Sequence, residues 1–134
     1  MASTIRTDSV SKKVLWIGRV FFAVSVLFLL FDSITHLLKV APVVDAFSRL
    51  GYPVGLALTL GIIEIVCLIA YVVPRTAVLG AILLTAYLGG AVSTNLRVNA
   101  GMFPVVFPIL LGLLLWGALF LRDSTLRTLI PLRS

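Results

Sequence analysis

Five ionisable side chains fall inside or at the end of long apolar stretches: Arg19, Asp32, His36, Glu64 and Arg97. A charge in hydrocarbon costs several kcal/mol unless it is paired, hydrated or reaches the headgroups. Asp32 and His36 are four residues apart, so on a helix they share one face. Ser25, seven residues before Asp32, lies close to that face and extends a polar stripe. The pair suits a local helix-stabilising hydrogen bond, or a ligand, proton or metal site. One His and one Asp supply two ligands where zinc takes at least three from the protein, so no metal is expected. Glu64 is the eleventh residue of the apolar stretch 54–73. An ionised carboxylate cannot face lipid there. It must face other helices, protonated or matched by a donor, as an interhelical hydrogen bond or as a proton-relay or ligand carboxylate. Tyr87 is the candidate hydroxyl partner at similar depth.

The elements that position these residues follow from the apolar pattern. Of 134 residues, 60% are hydrophobic and 12% charged, and the mean hydropathy is +1.17. A soluble domain carries roughly 25% charged residues, so lipid is the natural solvent. The expected fold is all-α: a polytopic antiparallel four-helix transmembrane bundle with spans at 14–38, 54–73, 77–96 and 105–121. A polar tail, 1–13, precedes the first span, and a basic tail, 124–134, follows the membrane domain 14–123. Between the first two spans, apolar residues at 43, 44, 47 and 50 predict a short interfacial helix ending at Gly51. Pro108 sits one turn inside the fourth span, where a missing N–H is tolerated. Small residues such as Gly55, Gly61, Gly80, Gly89 and Gly90 allow close helix approach. The N-terminal apolar run is too long for a signal peptide and is read as a retained helix. The C-terminus shows no lipidation signal.

Orientation follows from the basic residues. Four spans place Arg6, Lys12, Lys13, Arg75, Arg122, Arg127 and Arg133 on one side, seven residues, against Lys39, Arg49 and Arg97 on the other, three. The positive-inside rule puts the seven in the cytoplasm, with both termini. Asp32, His36, Asn95 and Arg97 then lie in the outer half, with Glu64 and Tyr87 deeper. Together they predict a polar cavity closed toward the cytoplasm. Arg19, near the cytoplasmic end of the first span, is an interfacial anchor or a carboxylate partner. The formal charge of +6 is scattered over loops and tails, which fits lipid headgroups as the partner and not nucleic acid. The single Cys67 excludes an internal disulfide, and the single His excludes a bis-histidine haem within one chain. No GxSxG, P-loop, HExxH, GxGxxG or paired cysteines occur.

The stretches GRVFFAVSVLFLLFDSITHLL (18–38), LGIIEIVCLIAYVVPRTAVLGAILLTAYLGGAVSTNLRV (60–98) and PILLGLLLWGALFLRD (108–123) resemble the DoxX-like family of small four-span bacterial membrane proteins. In that resemblance Gly18 and Arg19 match a Gly-Arg near the start of the first helix, and Glu64 a mid-span acid of the second. Gly90–Arg97 matches a segment closing the third, with Asn95 where a His is common. The resemblance implies a four-helix fold in the bacterial cytoplasmic (inner) membrane and does not fix a reaction. Three functions are compatible with these residues. The first is an accessory subunit of a membrane redox complex, bound to an oxidoreductase partner. The second is a quinone-linked oxidoreductase subunit, with quinone as its cofactor and Asp32, His36, Glu64 and Arg97 managing protons. The third is a proton-coupled small-molecule transporter built as a homodimer.

Overall fold

The computed structural model describes residues 2–129, with side chains from Lys12 onward. Arg133 and the rest of 130–134, placed by the sequence in the basic tail, lie outside the described residues, as does the side chain of Arg6. The described chain is all-α: α1 (Ala2–Leu38), α2 (Ala41–Leu50), α3 (Leu56–Val72), α4 (Ala77–Arg97), α5 (Phe103–Arg122) and α6 (Ser124–Leu129), with a 3-10 turn, Pro74–Thr76, between α3 and α4. Three stretches are long and apolar enough to cross a membrane: Lys12–Leu38 in α1, Pro74–Arg97 through α4, and Phe103–Arg122 in α5. α3 is apolar but only 17 residues long, about 26 Å at the usual helical rise. The molecule is a multi-pass membrane protein. Its outward surface carries the side chains a soluble protein would hide, among them Phe31, Ile62, Val66, Ile69, Leu79, Ile82, Leu110 and Leu113.

Helix continues beyond the expected spans at both ends. The membrane-length stretch of α1 begins at Lys12, close to the expected 14, but the helix itself runs back to Ala2 through the polar tail, since neither proline nor glycine interrupts the chain before Gly18. The residues after the fourth span form α6 instead of a plain tail. Asp123 starts it, its Oδ1 accepting from the backbone N–H groups of Thr125 (2.9 Å) and Leu126 (3.2 Å).

The short helix between the first two long ones is present and ends as its sequence predicts. Pro42 sits in its first turn, and Gly51 terminates it at φ 74°, a left-handed conformation that glycine takes without strain. Val43 and Phe47, one turn apart, are buried with Ala57 of α3, while Asp45 and Arg49 are exposed. α2 is thereby fastened to the start of α3.

Each of the four long helices packs on two others: α1 on α3 and α5, and α4 on α3 and α5. Leu29, Tyr71, Leu84 and Leu115, one from each, are fully buried and form the centre of the core. At one end of the bundle α3 and α4 meet backbone to backbone. A Cβ built on Gly80 would lie 2.2 Å from the Tyr71 nitrogen and 2.4 Å from its Cα, so only glycine fits. Thr76 closes the same turn by donating its hydroxyl to the Ala70 carbonyl (2.7 Å). At the other end, that of α2, the core changes character.

Candidate functional site

Asp32 and His36 occupy the last two turns of α1, on the side that meets α3. Gly61 of α3 makes that meeting close. A Cβ there would stand 3.1 Å from His36 Cβ and 3.2 Å from the Leu37 side chain. Three residues on, almost one turn, Glu64 leaves the same helix and is fully buried. One potential ligand atom from each of Asp32, His36 and Glu64 lies within 4.8 Å of the other two. The residue brought to Asp32 and His36 by the fold is therefore Glu64, 28 positions along the chain from His36 and a possible third metal-ligating group.

The polar atoms around this cluster are held from behind. The Tyr87 hydroxyl of α4 donates to Glu64 Oε2 at 3.2 Å, the partnership expected from their depths. His36 Nδ1 lies 2.8 Å from the Asp32 backbone carbonyl and 3.5 Å from Asp32 Oδ2. A carbonyl only accepts, so Nδ1 is the donor in this contact. The ring edge packs on Phe47 of α2, with centroids 5.7 Å apart. Access is one-sided: the Asp32 side chain is 48% exposed and that of His36 15%, while Glu64 is sealed.

Two features of the cluster are unbalanced. Glu64 Oε1 is buried and has no hydrogen-bond partner. Moreover, two carboxyl groups stand close together, yet among the described residues no lysine or arginine pairs with either. Burying such groups uncompensated is costly, so the arrangement is suited to holding positive charge or a hydrogen-bond donor.

The structure does not gather every residue that the sequence nominated. Asn95 Nδ2 donates to the Ala91 carbonyl on its own helix (2.8 Å). Arg97 donates to the Leu50 carbonyl (2.6 Å), tying the end of α4 to the end of α2. Arg19 is exposed and adjoins Gly18, which packs beside Leu121 and Arg122 at the opposite end of the bundle. Ser25 donates to the Phe21 carbonyl (2.7 Å), satisfied within its own helix. Asp32, His36, Glu64 and Tyr87 come together, while Asn95 and Arg97 make their hydrogen bonds to backbone carbonyls. Gly61 was legible only as a small residue; its spacing from Glu64 was the available signal that both face α1.

The sequence model of the DoxX-like family matches residues 20–118. The chain belongs to that family. The matched segment holds all four clustered residues and stops short of Gly18 and Arg19 at one end and of Arg122 at the other. No curated protein and no solved structure matches this DoxX-like chain.

Proposed function

We propose that this DoxX-like protein is an accessory subunit of a redox complex in the bacterial cytoplasmic membrane, and that its Glu64 cluster is a ligand site. The observation that carries the reading is Glu64 itself: a fully buried carboxyl with one oxygen held by Tyr87 and the other unpartnered beside Asp32 and His36. Buried side-chain polar atoms are in large majority hydrogen-bonded, so an unpartnered buried oxygen is a mark of a ligand position. The chain offers no redox centre of its own, since Cys67 is a lone buried thiol and there is one histidine, so electrons would come from a partner.

In this reading α3 is a fourth span. Its length is at the lower limit for a crossing. Its outward face, with Leu58, Ile62, Ile63, Val66, Ile69 and Val72, is as apolar as those of its neighbours. Four spans make an antiparallel bundle with both termini cytoplasmic, and put α2 and the open side of the cluster at the outer face. The partial exposure of Asp32 toward the bundle surface suits a lipophilic ligand arriving through the bilayer, which supports a quinone-linked role as the second reading. Transport fits less well, because the core between Glu64 and the cytoplasmic end is filled by Tyr71, Leu84, Leu115 and Leu119.

The test is purification from native membranes in mild detergent, with mass spectrometry of bound proteins and small molecules, for wild type and Glu64→Gln. An oxidoreductase partner in both preparations, with a small molecule lost only from the variant, is the expected result. A homodimer with neither partner nor small molecule would sink the reading. Reporter fusions at both termini check the four-span topology: opposite locations would leave an odd number of crossings.

A further inference from the structure

We infer that Asp32, His36 and Glu64 bind a divalent transition-metal ion of the zinc class. The inference rests on reading the cluster as a ligand site and names what that site takes. The donor set is one imidazole nitrogen and two carboxylate oxygens, and one such atom from each residue lies within 4.8 Å of the others. Tetrahedral zinc ligands at ordinary bond lengths stand about 3.3 Å apart. The difference to be closed is at most about 1.5 Å, on the scale of side-chain adjustment. Three protein ligands would leave a fourth position open, and Asp32 is the most exposed of the three side chains.

Three further observations favour a metal over a filled structural cluster. First, Glu64 Oε1 is sealed from solvent and unpartnered, while Oε2 accepts from Tyr87, so the free oxygen is the one available for a bond to an ion. Second, two carboxyl groups stand together with no described lysine or arginine beside either, and a divalent cation would supply that missing positive charge. Third, His36 holds its Nδ1 proton on the Asp32 carbonyl, and metal-binding imidazoles characteristically donate their remaining N–H to a carbonyl or carboxylate. The mixed nitrogen and oxygen set suits zinc and its first-row neighbours. Calcium and magnesium prefer oxygen-only shells with more ligands.

The full-length protein, purified without a polyhistidine tag and stripped with chelator, is titrated with zinc ion against a chromogenic chelator. One zinc per chain is expected, with calcium and magnesium failing to compete at a hundredfold excess. Glu64→Gln and Asp32→Asn should each weaken binding at least 100-fold, and Tyr87→Phe about 10-fold. X-ray absorption on zinc-loaded wild type should show one imidazole and two carboxylate oxygens, a readout that needs no variant to fold. Absence of a one-to-one site, equal competition by calcium, or sulfur scattering from Cys67 would overturn the metal assignment. Loss of a co-purified organic molecule from Glu64→Gln without zinc uptake by wild type overturns the metal and leaves the ligand site standing. A Glu64→Gln variant unchanged in both overturns both.

Discussion

The two ends of the bundle each bury one side-chain polar atom without a hydrogen-bond partner, Glu64 Oε1 toward α2 and Arg122 Nε toward α6. Their surroundings differ. Arg122 lies over the Phe22 ring, 4.3 Å from its centroid, so a π face meets the guanidinium. Phe22 in turn stacks on Tyr71 (5.5 Å), and the Tyr71 hydroxyl donates to the Leu115 carbonyl (2.9 Å). That end is a closed packing unit. At Glu64 the neighbours are Asp32 and His36, and no described cation or further donor meets the free oxygen. One end is filled by its own side chains, and the other leaves a buried carboxyl oxygen unpartnered beside a second carboxyl. The α6 end should therefore govern stability and the α2 end ligand affinity.

The largest effect should come from Gly80→Ala. The new Cβ would overlap the Tyr71 backbone, which cannot rotate away. A loss of about 3 kcal/mol is expected, at the upper end for overpacking, seen as reduced yield and a lower unfolding temperature in detergent. A tolerated Gly80→Ala would break the claim that this end is rigid.

Gly61→Ala tests the opposite end by the same device. Its Cβ would meet side-chain atoms at 3.1–3.2 Å, which can give slightly. A cost of about 1 kcal/mol is expected, together with weakened zinc binding, because His36 is pushed from α3. Unchanged zinc affinity would show that the α1–α3 approach does not set the site.

Tyr71→Phe removes one buried hydrogen bond and keeps the ring on Phe22. About 1 kcal/mol should be lost with zinc binding unaltered, which separates the two ends directly. Altered zinc binding would couple them.

Glu64→Gln should have the smallest effect on stability and the opposite sign. An uncompensated buried carboxyl becomes an amide able to donate to Asp32, so the chelator-treated protein should be unchanged or stabilised by up to about 1 kcal/mol. Thermal unfolding followed by tryptophan fluorescence measures this. Destabilisation comparable to that of Gly80→Ala would make Glu64 a structural residue.

Much of this contrast was legible before the fold. The apolar runs placed the long helices, because hydrocarbon forces backbone groups to bond within a segment. Gly51 ended α2 as expected, because a left-handed C-terminal residue favours glycine. Glu64 stood out by depth and Tyr87 as its partner by matching depth. The start of α1 was less legible, since polar residues with no breaker are compatible with tail and helix alike.

The sequence by itself determined which side chains are costly in a membrane, because cost depends on residue type and depth. It could not determine which of them share a site. Asn95 and Arg97 have the right chemistry and position along their helix, yet they turn to the Ala91 and Leu50 carbonyls. Asp32 and His36 gain Glu64 only because Gly61 lets α3 lie close against α1. Helix rotation and separation decide such meetings. Both are set by packing between segments far apart in the chain, so only the tertiary structure brought a third metal-capable side chain to the other two.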